Sequence, residues 1–247
     1  MVDQASLVQR AGVALAWRPD WPFAVAVAMA WVALIALHAS PSSHDAAAHG
    51  HRLAAAAPVT LAAVGGWTLM SVAMMVPVTL LAVRYVGLNS IRRRRRRAMA
   101  AYVTSYVAVW AAFGLLALTL VWAGRAAGLD ERQLVPGTLV VAAVWQLTRW
   151  KRRAIISCGR LVPLPPIGWR ADAACVRFGV VQARRCMVSC WPLMLLMAVT
   201  GHHSLVVMAA LTVVVLAEER ALIKERLLVP IAGVLAVATV WTVLPVL

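Results

Sequence analysis

The sequence predicts an all-α protein, a polytopic bundle of transmembrane helices. Of its 247 residues, 63% are apolar and only 13% are charged, and the mean hydropathy is +0.82. A soluble domain is roughly half apolar and about a quarter charged. This chain therefore has too little polar surface to coat a water-soluble globule. Its apolar residues fall in about seven runs, and we expect them to form one transmembrane domain over residues 1–247.

The distribution of basic residues predicts how the chain is oriented. A net charge of +15 would point to nucleic acid if it were spread over a soluble face. Here the 24 Lys and Arg residues gather in alternate segments, chiefly 87–98 and 149–185, and the predicted outer side keeps Arg52, Arg125 and Arg132. Positive residues mark cytoplasmic loops. We expect an inner N-terminus, an outer C-terminus, a bacterial inner membrane and no nucleic-acid partner.

The N-terminal part is predicted to contain two spans. Residues 1–20 form a cytoplasmic or interfacial lead, since their apolar run is too short to cross hydrocarbon. Residues 21–39 are the first span, predicted to be an uncleaved helix because no small-x-small cleavage site follows. An outer loop at 40–52 leads to the second span at 62–86.

Five further spans are predicted after the run of six arginines that begins at Arg92. They are 99–123, 134–148, 186–201, 205–217 and 227–247. The fourth and sixth spans fall short of the roughly 20 apolar residues that cross a bilayer unaided. We therefore expect them to lean on neighbouring helices.

Sulfur side chains are concentrated on the second and fifth spans. Cys186, Cys190 and Met194 recur every four residues, which places them on one face of a helix. The second span carries Met70, Met74 and Met75. Thiolates and thioethers select Cu(I) and other soft ions, so the two spans together predict a soft-metal site. The alternative is packing, because Met and unpaired Cys commonly fill apolar cores.

Histidines and a further cysteine extend the candidate ligand set. The additional candidate ligands are His44, His49, His51, His202, His203 and Cys158. Imidazole suits copper, zinc or nickel, and the five histidines lie at the predicted outer side. Histidines at the outer side, with Met and Cys side chains further into the membrane, are typical of a protein that captures a metal ion outside and passes it inward. The alternative is that the Ala-rich loop tolerates histidine with no task.

The other polar groups predict structural roles. The tract Arg92–Arg97 is expected to fix topology and to meet anionic lipid. Glu218 and Glu219 end the sixth span, where they are solvated, paired with Arg220 or Lys224, or part of an ion relay. The sequence lacks hydrolase, zinc-protease and phosphate-loop motifs, which favours a non-enzymatic role.

Three blocks of residues carry a resemblance to a known family. They are Trp67-x-x-Met70-x-x-Ala73-Met74-Met75-x-Pro77, then Trp145-Gln146-Leu147-Thr148-x-x-Lys151 leading to Cys158-x-Arg160, then Cys186-x-x-x-Cys190-Trp191-x-Leu193-Met194 followed by Glu218 or Glu219. In these blocks the chain resembles a bacterial family described as predicted metal-binding integral membrane proteins. The resemblance implies a metal-binding membrane bundle. This chain has Ser189 where that family usually has a second cysteine, and Glu218-Glu219 where it usually has Glu-Lys.

These observations lead to one main hypothesis and two alternatives. The main hypothesis is a membrane protein that handles a soft metal, copper first, by transport or by delivery to a membrane metalloenzyme or metallochaperone. The first alternative is a non-catalytic assembly or accessory subunit of a larger membrane complex. The second is a membrane thiol oxidoreductase. Homo- and hetero-oligomers are both compatible with the sequence.

Overall fold

The computed structural model describes residues 18–39, 59–158, 160–165, 168–200, 205–220 and 224–243. Within these residues the regular structure consists of eight helices and no strands. In chain order they are α1 (Trp21–Ala39), α2 (Leu61–Leu88), α3 (Arg95–Ala126), α4 (Glu131–Gln146), α5 (Arg149–Cys158), α6 (Trp169–Thr200), α7 (Leu205–Arg220) and α8 (Lys224–Val243). The predicted all-α class is confirmed.

Three of these helices can cross a bilayer by their own length and composition. The helices α1, α2 and α3 contain apolar windows with mean hydropathies of 2.0, 1.8 and 2.0. The helices α4 and α7 have 16 residues each, about 24 Å at about 1.5 Å per residue. That is shorter than a hydrocarbon core of about 30 Å. The count of seven spans and the orientation of the termini stay predictions.

The basic segment 149–185 is largely helical. Helix α5 occupies its start, and α6 begins at Trp169, well before the predicted start of the fifth span at Cys186. Lys151, Ala154, Ile155 and Cys158 form the buried face of α5, while Arg152 and Arg153 are exposed. The buried residues of α5 therefore lie on one face of the helix, and this face packs against the rest of the bundle. The cytoplasmic placement of the segment stays a prediction.

Helices α2 and α3 pack closely and antiparallel. The Trp67 indole of α2 donates to the Trp110 carbonyl of α3 over 2.9 Å, and the Tyr106 hydroxyl donates to the Met75 carbonyl over 3.3 Å. A Cβ on Gly114 would lie 2.0 Å from the Trp67 indole. Glycine is therefore needed at 114 to let this large ring lie between the two helices.

Helices α3 and α6 run parallel and also meet through a glycine. A Cβ on Gly179 would lie 2.4 Å from the Tyr102 carbonyl oxygen, so the two backbones approach closely there. At the other end, Arg125 donates to the Val199 carbonyl over 3.0 Å. The last carbonyls of a helix lack intrahelical donors, so this bond caps α6.

The remaining helices surround this central trio of α2, α3 and α6. Helix α1 and helix α7 pack on α2, α4 and α5 pack on α6, and α8 packs on α4. Large apolar side chains point outward around the bundle, including Met29, Val32, Leu116, Leu120, Val213, Val234 and Val237. An apolar exterior of this extent is typical of a surface that meets lipid.

Candidate metal centre

The α6 half of the candidate site is built around a proline. Pro192 lies inside α6, two residues after Cys190. Proline has no backbone N–H, so the carbonyl four residues earlier, at Val188, loses its helical partner. The indole of Trp145 on α4 donates to that carbonyl over 3.0 Å. The break beside Cys190 is thus satisfied by a neighbouring helix, which also fixes the end of α4 at this level.

The α2 half repeats the same arrangement with different residues. Pro77 lies inside α2, two residues after Met75, and removes the partner of the Ala73 carbonyl. The indole of Trp31 on α1 donates to that carbonyl over 3.1 Å. Each half of the site therefore places a sulfur residue just before a proline and holds the freed carbonyl with a tryptophan from another helix.

Sulfur atoms of the two halves meet at Cys190. Its Sγ lies 4.0 Å from the Cys186 Sγ and 4.0 Å from the Met75 Sδ. All three side chains are buried, at 1% exposure or less. Three sulfurs placed about 2.3 Å from one ion, at the corners of a triangle, are about 4.0 Å apart. The Cys190 sulfur is thus spaced from each of the other two as a three-sulfur site requires. The two thiols and the thioether are called the sulfur triad below.

Tyr106 of α3 ties the two halves together. Its hydroxyl donates to the Met75 carbonyl and also interacts with the Cys186 thiol. The side chain is completely buried. The thiol of Cys190 in turn donates to the Cys186 carbonyl over 3.0 Å. These contacts of Tyr106 and Cys190 therefore help to fix where the triad lies in the core.

The other predicted sulfur residues lie in the same core as the triad. Met70, Met74 and Met194 are each at most 1% exposed, so none of them lies on the outer surface of the bundle. Met197 and Met208 of the same core complete the set. Met208 was not predicted, because α7 carries a single methionine and shows no sulfur spacing. Coordination by these methionines stays a prediction.

The four cysteines are buried, are not joined in disulfides and lie in two different places. Cys158 belongs to the core that holds the triad, and its carbonyl accepts a bond from Gln182. Cys175 belongs to a separate aromatic core with Tyr102 and Phe178. Cys175 therefore offers a matched control for changes at the triad.

The five predicted histidine ligands, His44, His49, His51, His202 and His203, lie outside the described residues. Among the residues that the structure does describe, no group of three or more His, Cys, Asp and Glu side chains is placed to hold a metal ion. The candidate centre therefore depends on combining thioether with thiol. Its use for metal stays a prediction at this point.

Comparison with known proteins bears on which metal is concerned. A family model named PpoB2 and described as a copper chaperone matches residues 64–242. The chain belongs to this copper chaperone family. The matched range covers well over half of the chain and includes all three triad residues. No curated protein and no solved structure matches the chain. Family membership supports copper handling in general and agrees with the metal-binding resemblance.

This member of the copper chaperone family also buries an ion pair. The Lys151 Nζ lies 2.7 Å from the Glu218 Oε2, and both side chains are 1% exposed. The Gln146 amide donates to the other carboxylate oxygen over 2.8 Å. The partner of Glu218 is thus Lys151, where the sequence suggested Arg220 or Lys224. The buried face of α5 was the available signal, since Lys151 shares it with Ile155 and Cys158.

A second ion pair lies at the start of α6. Asp172 accepts from Arg94 over 2.6 Å and lies 3.2 Å from Arg97. The Arg94 hydrogen bond, together with the charges of both arginines, lowers the pKa of Asp172. Part of the arginine tract therefore joins α3 to α6, besides the lipid contact predicted for the tract.

Proposed function

We propose that this protein binds Cu(I) as cargo at Met75, Cys186 and Cys190 inside the membrane and passes it to a partner metalloprotein. The observation that carries the proposal is the position of the Cys190 Sγ, 4.0 Å from a sulfur of its own helix and 4.0 Å from a sulfur of α2. A site on one helix can approach an ion from one side only. Two helices surround it.

The chemistry of the ligands suits a monovalent copper ion. Thiolate and thioether are soft donors, which favour Cu(I) over the hard ions that prefer oxygen. Binding requires the two thiols to lose their protons, so the site takes up copper and releases protons together. The thioether of Met75 is neutral and stays neutral. A neutral third ligand suits a carrier, because it adds affinity without adding charge.

The membrane setting and the route are part of the same proposal. Three helices long and apolar enough to cross a bilayer support a multi-pass protein, which we place in the bacterial inner membrane. We propose that His44, His49, His51, His202 and His203 collect copper at the outer face. In this proposal the methionines of α2, α6 and α7, which share the core with the triad, pass the ion on to it. The family description supports delivery to another protein.

The test is the copper content of the purified full-length protein after anaerobic loading with Cu(I). We expect the wild type to retain copper and the double variant Cys186→Ser with Cys190→Ser to lose it. Cys175→Ser is the matched control, since it removes a buried thiol from the other core. It should keep its copper.

Equal copper in the wild type and the double variant would contradict the triad, and no copper in the wild type would contradict the function itself. A stable partner that co-purifies with a copper-free wild type would instead favour the accessory-subunit alternative.

A further inference from the structure

The buried ion pair lies at the same level of the bundle as Cys190. Trp145 is bound to the Val188 carbonyl, two residues before Cys190 along α6. The next residue, Gln146, is bound to Glu218, which pairs with Lys151. The end of α4 therefore connects the backbone beside Cys190 directly to the ion pair.

The packing of α5 against α6 independently places Lys151 at the level of Cys190. The Cys158 carbonyl accepts from Gln182, so α5 ends beside that residue of α6. From Lys151 to Cys158 the helix rises about 10 Å, and from Gln182 to Cys190 the neighbouring helix rises about 12 Å. With α5 antiparallel to α6, Lys151 comes level with Cys190. Lys151 and Glu219 are indeed within electrostatic range of the Cys190 thiol.

The position of Lys151 matters because of the net charge that the triad would carry with copper bound. A Cu(I) ion carries one positive charge, two thiolates carry two negative charges, and a thioether carries none. The loaded triad therefore has a net charge of −1 in an apolar core. A buried charge is strongly unfavourable unless an opposite charge lies near it. Lys151 supplies a positive charge at 1% exposure, paired with Glu218, whose other carboxylate oxygen accepts from Gln146.

We propose that Lys151 is the counter-charge for the copper-loaded triad and that Glu218 weakens copper binding by competing for the Lys151 ammonium. This inference rests on the proposed function and adds the regulation of the same site. Lys151 acts as a positioning residue, since it touches neither the ion nor its ligands. The Lys151–Glu218 pair thus sets a Cu(I) affinity that still allows the ion to be released.

The experiment measures Cu(I) affinity of the full-length protein by competition with a coloured Cu(I) chelator. Lys151→Met removes the counter-charge and should weaken binding, whereas Glu218→Gln frees the ammonium and should tighten it. A unit charge about 10 Å from an ion changes affinity roughly tenfold at an effective dielectric constant of about 20. Lys151→Arg keeps the charge and should keep the affinity. A purely structural pair predicts that both neutral variants bind more weakly.

A double variant guards against loss of folding. Removing one partner of a buried pair leaves a charge unpaired, whereas removing both often leaves stability unchanged. Lys151→Met with Glu218→Gln should therefore fold and bind copper with an affinity between those of the two single variants. Equal affinities in all variants, or equal weakening in both single variants, would overturn the counter-charge. A wild type that binds no copper would instead remove the proposed function on which this inference rests.

Discussion

The two halves of the candidate copper site share a local design but differ in what surrounds them. In α2, Met75 precedes Pro77, and Trp31 holds the freed carbonyl. In α6, Cys190 precedes Pro192, and a tryptophan of α4 does the same. The α2 half offers a neutral thioether and is held from α1. The α6 half offers thiols and is held from the helix that leads to the buried ion pair.

The two halves show that a ligand can need two kinds of support. One is a fixed backbone, and the other is an opposite charge that compensates the charge of the ligand. A thioether needs only a fixed backbone, because it stays neutral when copper binds. A thiolate needs a fixed backbone and also a nearby positive charge, because it is buried when ionised. The end of α4 links the ion pair of Lys151 to the half that bears charge, through Trp145 on the Val188 carbonyl and Gln146 on Glu218. We expect the two halves to respond differently to equivalent changes.

The largest expected difference is in copper affinity. Cys190→Ala removes the sulfur shared by both contacts, whereas Met75→Leu removes the neutral ligand with little change in volume. A four-ligand metal site contributes about 10–16 kcal/mol, so one full ligand is worth about 3 kcal/mol, or roughly a hundredfold in affinity. We expect that loss for Cys190→Ala and a smaller loss for Met75→Leu in chelator competition. Equal losses would mean that the halves are equivalent.

The next difference concerns how α3 supports each half. Gly179→Ala would press a methyl group against the Tyr102 backbone, which cannot move aside, while Gly114→Ala presses against the Trp67 side chain. Overpacking of this kind costs about 1–3 kcal/mol, and we expect Gly179→Ala at the upper end. Thermal unfolding in detergent measures it. Gly65→Ala on α2 meets nothing within 4 Å and should leave the midpoint unchanged; a matching fall there would refute the packing explanation.

The smallest difference is between the two tryptophans. Trp145→Phe and Trp31→Phe each leave a carbonyl without its indole donor, which costs about 1 kcal/mol of stability. We expect similar shifts in the unfolding midpoint. Only Trp145→Phe should also change copper affinity, since Trp145 adjoins the residue that binds Glu218. An affinity change in Trp31→Phe alone would reverse the comparison.

Much of the helical architecture was predictable, because the spacing of apolar residues is a local property. The starts of α1, α2 and α7 fall within one residue of the predicted starts. The early start of α6 was not predicted, since its first turns carry Arg and Asp residues at positions that a hydropathy reading assigns to a loop. Their buried neighbours, such as Phe178 and Cys175, become apolar contacts only once α3 is in place.

The candidate sulfur ligands could be predicted from the sequence as a set, but which of them contact one another could not. Spacing along α6 placed Cys186, Cys190 and Met194 on one face, but it could not say that Met75, and not Met70 or Met74, would reach Cys190. The partner of Glu218 was equally hidden, because the basic residues nearest to it in sequence are Arg220 and Lys224. Lys151 is distant in sequence and is brought to Glu218 by the packing of α5 beside α7.

The sequence by itself determined that this chain is helical and strongly apolar, with sulfur on two of its helices, because composition and periodicity act through local geometry. The tertiary structure alone decided which sulfurs meet and which buried charges pair at the end of α4. Those outcomes depend on how the helices are rotated and shifted against one another. Contacts such as Gly179 with Tyr102 and Trp145 with Val188 set that relation across large separations in sequence.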